Sequence, residues 1–110
     1  MIAQYDAVWA HACLLHVPLA DLPPILSAIR RALRGRGLHF ANFMLRDEGN
    51  PDEGYDPLGR WTNLPDEEWL HTHYAAAGFR IVERQRYSGR GADGVPCDWY
   101  AVTVMNPVGR

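Results

Sequence analysis

Apolar residues recur along the chain with two alternating periods. Tyr5–His11, Tyr-Asp-Ala-Val-Trp-Ala-His, carries apolar side chains on both alternations. That pattern predicts a strand buried on both faces, as in a parallel sheet. Leu14–Val17 reads as a turn or a single helical turn, closed by Pro18. From Asp21 to Leu33 the spacing becomes helical, with Leu22, Ile25, Leu26, Ile29 and Leu33 on one face. Ile29, in the middle of that stripe, is expected to face the sheet. Pro23 and Pro24 suit a first turn, where missing amide donors cost little. Arg30, Arg31 and Arg34 suit the negative end of the helix dipole, and Gly35 and Gly37 supply a stop.

Leu38–Leu45 then predicts a second buried strand. Arg46–Asn63, rich in Gly, Pro, Asp and Asn, predicts a long surface loop of the kind that is usually functional or mobile. Pro65 opens a second helix with Asp66, Glu67 and Glu68 at its positive end. Trp69, Leu70, His73, Tyr74 and Ala77 form its inner face, and Gly78 ends it. Phe79–Tyr87 and Asp98–Met105 predict two more strands. The Gly- and Pro-bearing stretch Ser88–Cys97 joins them as an antiparallel hairpin. The whole reads as β-α-β-α-β-β, an α/β chain with a parallel part and a final antiparallel hairpin.

Composition narrows the class. With 110 residues, 47% of them hydrophobic and 22% charged, the chain makes one domain with an ordinary core. A net charge of −2 calls for neither nucleic acid nor an anionic membrane as partner. No apolar run approaches the roughly 20 residues of a membrane span, and no signal peptide is read at the N-terminus, so the expected setting is the cytoplasm. All eleven basic residues are arginine. They are spread along the chain, so a compositional origin fits them better than a phosphate-binding cluster does.

The order of segments carries a resemblance. Residues 5–18, Tyr-Asp-Ala-Val-Trp-Ala-His-Ala-Cys-Leu-Leu-His-Val-Pro, resemble the fourth strand of class I S-adenosylmethionine-dependent methyltransferases and the turn after it. Ile29–Gly37 is similar to that family's helix ending in leucine and Lys-Pro-Gly-Gly, with Arg34-Gly35 in place of Lys-Pro and Arg36 in place of the first glycine. Leu38–Leu45 resembles the fifth strand. Ala75–Glu83 resembles the entry to the sixth, and Trp99–Val104 the seventh. The resemblance runs from Tyr5 to Pro107. It implies the C-terminal half of a Rossmann-like methyltransferase sheet whose full order is 3-2-1-4-5-7-6. The glycine-rich loop and ribose carboxylate that hold S-adenosylmethionine belong to the other half. Residues 1–110 are thus expected to be a single truncated methyltransferase-like domain that binds the cofactor weakly and is inactive alone. Gly89-Arg90-Gly91 joins antiparallel strands, whereas a dinucleotide loop leads a parallel strand into a helix.

Ligands of open α/β sheets sit beyond the carboxyl ends of the parallel strands. That singles out Ala10, His11, Ala12 and Cys13, together with Asn42, Phe43 and Met44. The resemblance assigns Ala10, His11 and Ala12 to the methionine end of the cofactor and places His16 near the acceptor. His16 fits a general base, and the reading it fits better is a hydrogen bond that fixes the Leu14–Pro18 turn. Asn42, Phe43 and Trp61 are candidates for holding substrate. Trp61 fits a lid or an anchor for the long loop. Cys13 reads as a buried, inert thiol and Asp6 as structural. No metal site is expected, because His71 and His73, two apart on a helix, diverge. The expected partner is a second copy of the chain or a complementary N-terminal half. The rival reading is a non-enzymatic module that oligomerises through an exposed sheet edge.

Overall fold

The computed structural model describes residues 5–46, 52–91, 94 and 96–108. Strand β1 spans Tyr5–Ala10, helix α1 Leu22–Ala32 and strand β2 Leu33–Met44. Between β1 and α1 lie two 3-10 turns, Leu14–His16 and Leu19–Asp21. Helix α1 forms where its apolar stripe asks for it, with Leu22 and Leu26 fully buried. Ile25 and Ile29 are only partly buried, packed at the margin of the core. The stripe is therefore centred on Leu22 and Leu26, one edge away from Ile29.

The glycines after α1 do not end the run into β2. The chain becomes extended at Leu33 and pairs with β1 there, then shifts register before Ala7 meets Leu38. Arg36 sits in this irregular stretch at φ +64, a left-handed conformation costly for a side-chain-bearing residue. A Cβ on Gly37 would lie 2.8 Å from the Arg34 carbonyl oxygen and 3.2 Å from that of Asp6, so only glycine fits there. Asn106 locks the bend from the far end of the chain. Its amide donates to the Gly37 carbonyl, and its own carbonyl accepts from the Arg36 amide at 2.8 Å.

The expected long loop contains a small antiparallel hairpin, β3 Glu53–Tyr55 with β4 Trp61–Asn63. Residues 47–51 of that stretch lie outside the described residues. Helix α2, Glu67–Ala76, begins at Asp66, whose carboxylate accepts from the Trp69 amide at 2.7 Å. It ends at Gly78 with φ +94. Strands β5 (Arg80–Arg90) and β6 (Pro96–Met105) run further toward each other than the sequence suggests, pairing out to Arg90 and Pro96. Gly89 permits this. A Cβ there would come within 2.8 Å of the Trp99 ring, so a larger residue would push the indole off the hairpin.

The main sheet has the order β1-β2-β6-β5, with β1 parallel to β2 and β6 antiparallel to both its neighbours. Side chains alternate between its two faces along β2 and β6. His39, Ala41, Phe43, Tyr100, Val102 and Val104 are buried beneath α1 and α2 together with Leu22, Leu26, Leu70 and Tyr74. The opposite face carries Leu38, Phe40, Ala101 and Thr103, and no described helix covers it. Trp9 lies there 70% exposed, stacked on Phe40 with ring centroids 4.0 Å apart. Phe40 and Trp99 face outward, and Phe43 and Val102 face the helices.

A histidine is sealed beneath the helices. His39 is fully buried, its Nδ1 3.0 Å from the Val8 carbonyl oxygen and its Nε2 2.9 Å from the Tyr74 hydroxyl. A carbonyl only accepts, so Nδ1 carries the proton and Nε2 accepts from the Tyr74 O–H. Burial pushes the His39 pKa below 6.5, against the opposing effect of its bond to Val8. The unfolded ring therefore takes up a proton before the folded one does, and stability falls as pH drops below about 6.5. The expected loss is up to about 1.4 kcal/mol per pH unit, ceasing once the folded-state pKa is passed. Urea denaturation at pH 7.5 and 5.5 checks it, with His39→Gln as the reference that should flatten the dependence. An equal slope in the two proteins would refute it.

Candidate functional site

The carboxyl ends of β1 and β2 open onto a cleft of about 150 Å³. Its near wall is the turn that follows β1. The chain reverses at Ala12, held at φ +54, a conformation alanine seldom adopts. What holds it is Asn42 on β2, whose Oδ1 accepts from the Ala12 amide at 2.6 Å. Asn42 is 2% exposed, and its amide nitrogen donates to the Tyr87 hydroxyl at 3.4 Å. A short polar residue inside an apolar strand thus fixes the backbone of the neighbouring turn.

The far wall is the β3–β4 hairpin, stitched onto the Leu14–His16 turn by side chains. The Asn63 amide nitrogen donates to the Leu14 carbonyl at 2.9 Å and to the Val17 carbonyl at 2.6 Å. The Glu53 carboxylate accepts from the Leu19 amide at 2.8 Å and from the Trp61 indole N–H at 3.2 Å. His16 Nδ1 lies 2.8 Å from the Trp61 carbonyl oxygen. That carbonyl only accepts, so Nδ1 is the donor and the neutral ring keeps its lone pair on Nε2. Both roles weighed for His16 are compatible with this geometry, because one nitrogen ties the turn and the other is left over.

Inside the hairpin, Asp56 organises the connecting turn. Its carboxylate accepts from the Leu58 and Arg60 amides, both at 2.9 Å, and from the Arg60 guanidinium at 2.8 and 3.0 Å. These bonds, that to the Arg60 amide first, hold the Asp56 carboxyl below its ordinary pKa. The Asp56–Arg60 pair, His16 and Thr62 form the polar part of the cleft. Ala12, Leu15, Met44 and Trp99 form its apolar part. Thr62 is buried, and its hydroxyl has no hydrogen-bond partner among the described residues; the same is true of Asn63 Oδ1.

The structure brings Ala12, His16 and Met44 together in this cleft and places the other candidates outside its lining. Ala10 is buried in the core. His11 is exposed and does not line the cleft. Asn42 acts from behind, through Ala12. Phe43 is turned into the helix-covered core, fully buried, because the phase of β2 points it to the face that α1 and α2 cover. The Trp61 side chain packs edge-on against Tyr55 with centroids 5.0 Å apart, anchoring the hairpin, and only its carbonyl reaches the site. Cys13 is exposed, contrary to the buried thiol expected of it. His71 and His73 reach different partners, the Tyr100 hydroxyl and the Trp69 carbonyl. Among the described residues no three metal-ligating side chains converge, and no helix is long and apolar enough to cross a membrane.

Asp56, Arg60, Thr62 and Trp99 escaped the sequence reading. An Asp and an Arg four apart around Pro57-Leu58-Gly59 signal a side-chain-braced turn, and Gly89 opposite Trp99 signals an aromatic ring lying across a strand.

No protein-family model matches the chain, and no curated protein matches it. Solved structures do. A S-adenosylmethionine-dependent methyltransferase from Methanosarcina mazei aligns with a TM-score of 0.85 at 12% identity, over 97% of this chain and 61% of its own. The 1,6-didemethyltoxoflavin-N1-methyltransferase of Burkholderia thailandensis, solved with 1,6-didemethyltoxoflavin and S-adenosylhomocysteine, aligns at 0.78 and 22% identity, over 100% of this chain and 46% of its own. The [4+2]-cyclase SpnF aligns at 0.76 and 20% identity, over 98% and 52%. The chain therefore has the fold of S-adenosylmethionine-dependent methyltransferases and spans about half to three fifths of the length of these structures. One of the three is named a cyclase, so the fold alone does not specify methyl transfer.

Proposed function

We propose that this chain is the acceptor-side half of a S-adenosylmethionine-dependent methyl-transfer domain, or a truncated relative of one, inactive by itself. The observation that carries this reading is the strand order. A parallel pair, β1-β2, is followed by an antiparallel β6 inserted before β5. That order equals the 4-5-7-6 part of the sheet implied by the sequence resemblance. The alignments with whole methyltransferases add support, since they use nearly all of this chain and about half of theirs. The cytoplasm is its expected setting, on sequence grounds.

The residues present do not fit the complete cofactor. Sites for ligands of that size usually enclose about 300–1,000 Å³, against about 150 Å³ here. The Ala12 amide is committed to Asn42, and the Asp56 carboxylate is committed to Arg60. What this chain contributes is a wall of the reaction site. Ala12 would border the cofactor's methionine end, and His16 Nε2 would accept a proton from the acceptor. A complementary half would supply the grip on the cofactor. Positioning of this kind carries most of the catalysis in group transfer from an already reactive donor.

Titration calorimetry of the isolated chain with S-adenosylmethionine tests the division of labour. The expected dissociation constant is weaker than about 1 mM, roughly −4 kcal/mol. Binding in the low micromolar range, about −8 kcal/mol, would overturn it.

A second reading rests on the open sheet face and on β1, whose outer edge no described strand pairs. Exposed apolar edges recruit further strands, and a bare face of this kind marks an interaction surface. On this reading the chain is a self-associating module.

A further inference from the structure

We infer that the cleft accepts a single aromatic ring bearing a hydrogen-bond donor, a phenolic hydroxyl in the first instance, and that it rejects anions and ring ethers. The inference rests on reading this cleft as the acceptor site, and it names the acceptor's class. Four observations converge on it. The first is the proton on His16. Nδ1 is held by the Trp61 carbonyl at 2.8 Å, so the neutral ring can only accept through Nε2, and Nε2 has no partner among the described residues. A ligand that satisfies it must donate.

The second is the Thr62 hydroxyl, buried in the wall of the same cleft without a partner among the described residues. A buried polar group left unpaired costs stability and is a standing demand for one. A ligand hydroxyl donates one hydrogen bond, as Nε2 requires, and keeps the capacity to accept others. An ether can only accept and leaves Nε2 unsatisfied.

The third is charge. Arg60 is the cation lining the cleft, and Asp56 engages both its Nε and its Nη2 through one carboxylate oxygen. The pair is locally neutral, so the cleft offers a carboxylate or phosphate little net attraction. The fourth is size and shape. A volume of about 150 Å³ is that of apolar cavities that take up benzene. The Trp99 indole and Met44 supply the apolar walls, and both suit an aromatic ring.

The test is a two-dimensional amide NMR titration of the full chain with phenol, anisole and benzoate, with no S-adenosylmethionine present. The expected result is saturable shifts at the Thr62 amide and the Trp99 indole N–H with phenol. Anisole should bind at least about tenfold more weakly, the scale set by one lost hydrogen bond to a buried acceptor, and benzoate more weakly still. His16→Leu should erase the preference of phenol over anisole. Equal affinity for phenol and anisole, tighter binding of benzoate, or no saturable shift at Thr62 and Trp99 would each overturn the inference. If His16→Leu fails to fold, the phenol–anisole comparison on the unaltered chain decides alone. The cofactor titration and this one share no component. Loss of the cofactor reading would leave phenol binding in place, and loss of phenol binding would leave the cofactor result in place.

Discussion

Phe43→Ala is expected to remove about 3–5 kcal/mol of folding stability, the range for emptying a buried phenylalanine site. Phe43 is fully buried on β2, paired in register with Tyr100 on β6 and packed in the cluster that joins the sheet to α1 and α2. Domains as small as this one have about 5–15 kcal/mol in total, so the variant should lie near its unfolding transition at room temperature. Urea denaturation followed by circular dichroism measures the loss. A substrate-holding residue at a strand end would behave differently, with ligand affinity changing and stability nearly intact. A cost under about 1 kcal/mol would place Phe43 outside the core and reverse the phase assigned to β2.

The next largest effect concerns assembly. The chain is expected to sediment as a dimer or a larger species at micromolar concentration, and Trp9→Arg is expected to shift it to monomer. Trp9 is 70% exposed and stacked on Phe40, beside the edge of β1 that no described strand pairs. A guanidinium in that position would have to be desolvated in any contact made through the open face. Stable association requires about 800 Å² from each partner. Sedimentation equilibrium decides between the states. An unaltered chain that sediments as a clean monomer and binds no hydrophobic dye would rule the expectation out.

Much of the fold was legible because it rests on local rules. Pro23 and Pro24 fit only a first helical turn, Gly78 supplies a left-handed stop, and the two apolar periods separate strands from helices. The phase of β2 was not legible. Leu38–Leu45 is apolar on both alternations, so nothing in the run itself says whether Phe40 or Phe43 turns toward the helices. That choice is made by where α1 and α2 dock, which is tertiary information. The β3–β4 hairpin was hidden because each strand is three residues long, too short for a period-2 pattern to stand out among Gly, Pro and Asp. The cleft was half legible. His16 could be picked out as a side chain with chemistry, but its orientation depends on the Trp61 backbone carbonyl, and a backbone carbonyl leaves no mark in a sequence. Ala12 and Asn42 were singled out for ligand contact, and the structure shows them hydrogen-bonded to each other. Strand-end topology finds the neighbourhood of a site without assigning roles within it.

The two outer edges of the main sheet are unlike each other. Five of the side chains exposed on β5, Arg80, Glu83, Arg84, Arg86 and Arg90, are charged, beside the apolar Val82 and Tyr87, whereas β1 exposes Tyr5, Asp6, Ala7 and Trp9. Charged side chains on an edge strand discourage further pairing. If two copies join through β1 about a twofold axis, the combined sheet ends at both extremities in a β5 edge. Growth is then self-terminating: the first addition uses up the adhesive edges, and no third chain finds another. The arginines of β5 would thus set the difference between a closed pair and an open polymer, although they lie at the far side of the sheet from the contact they limit.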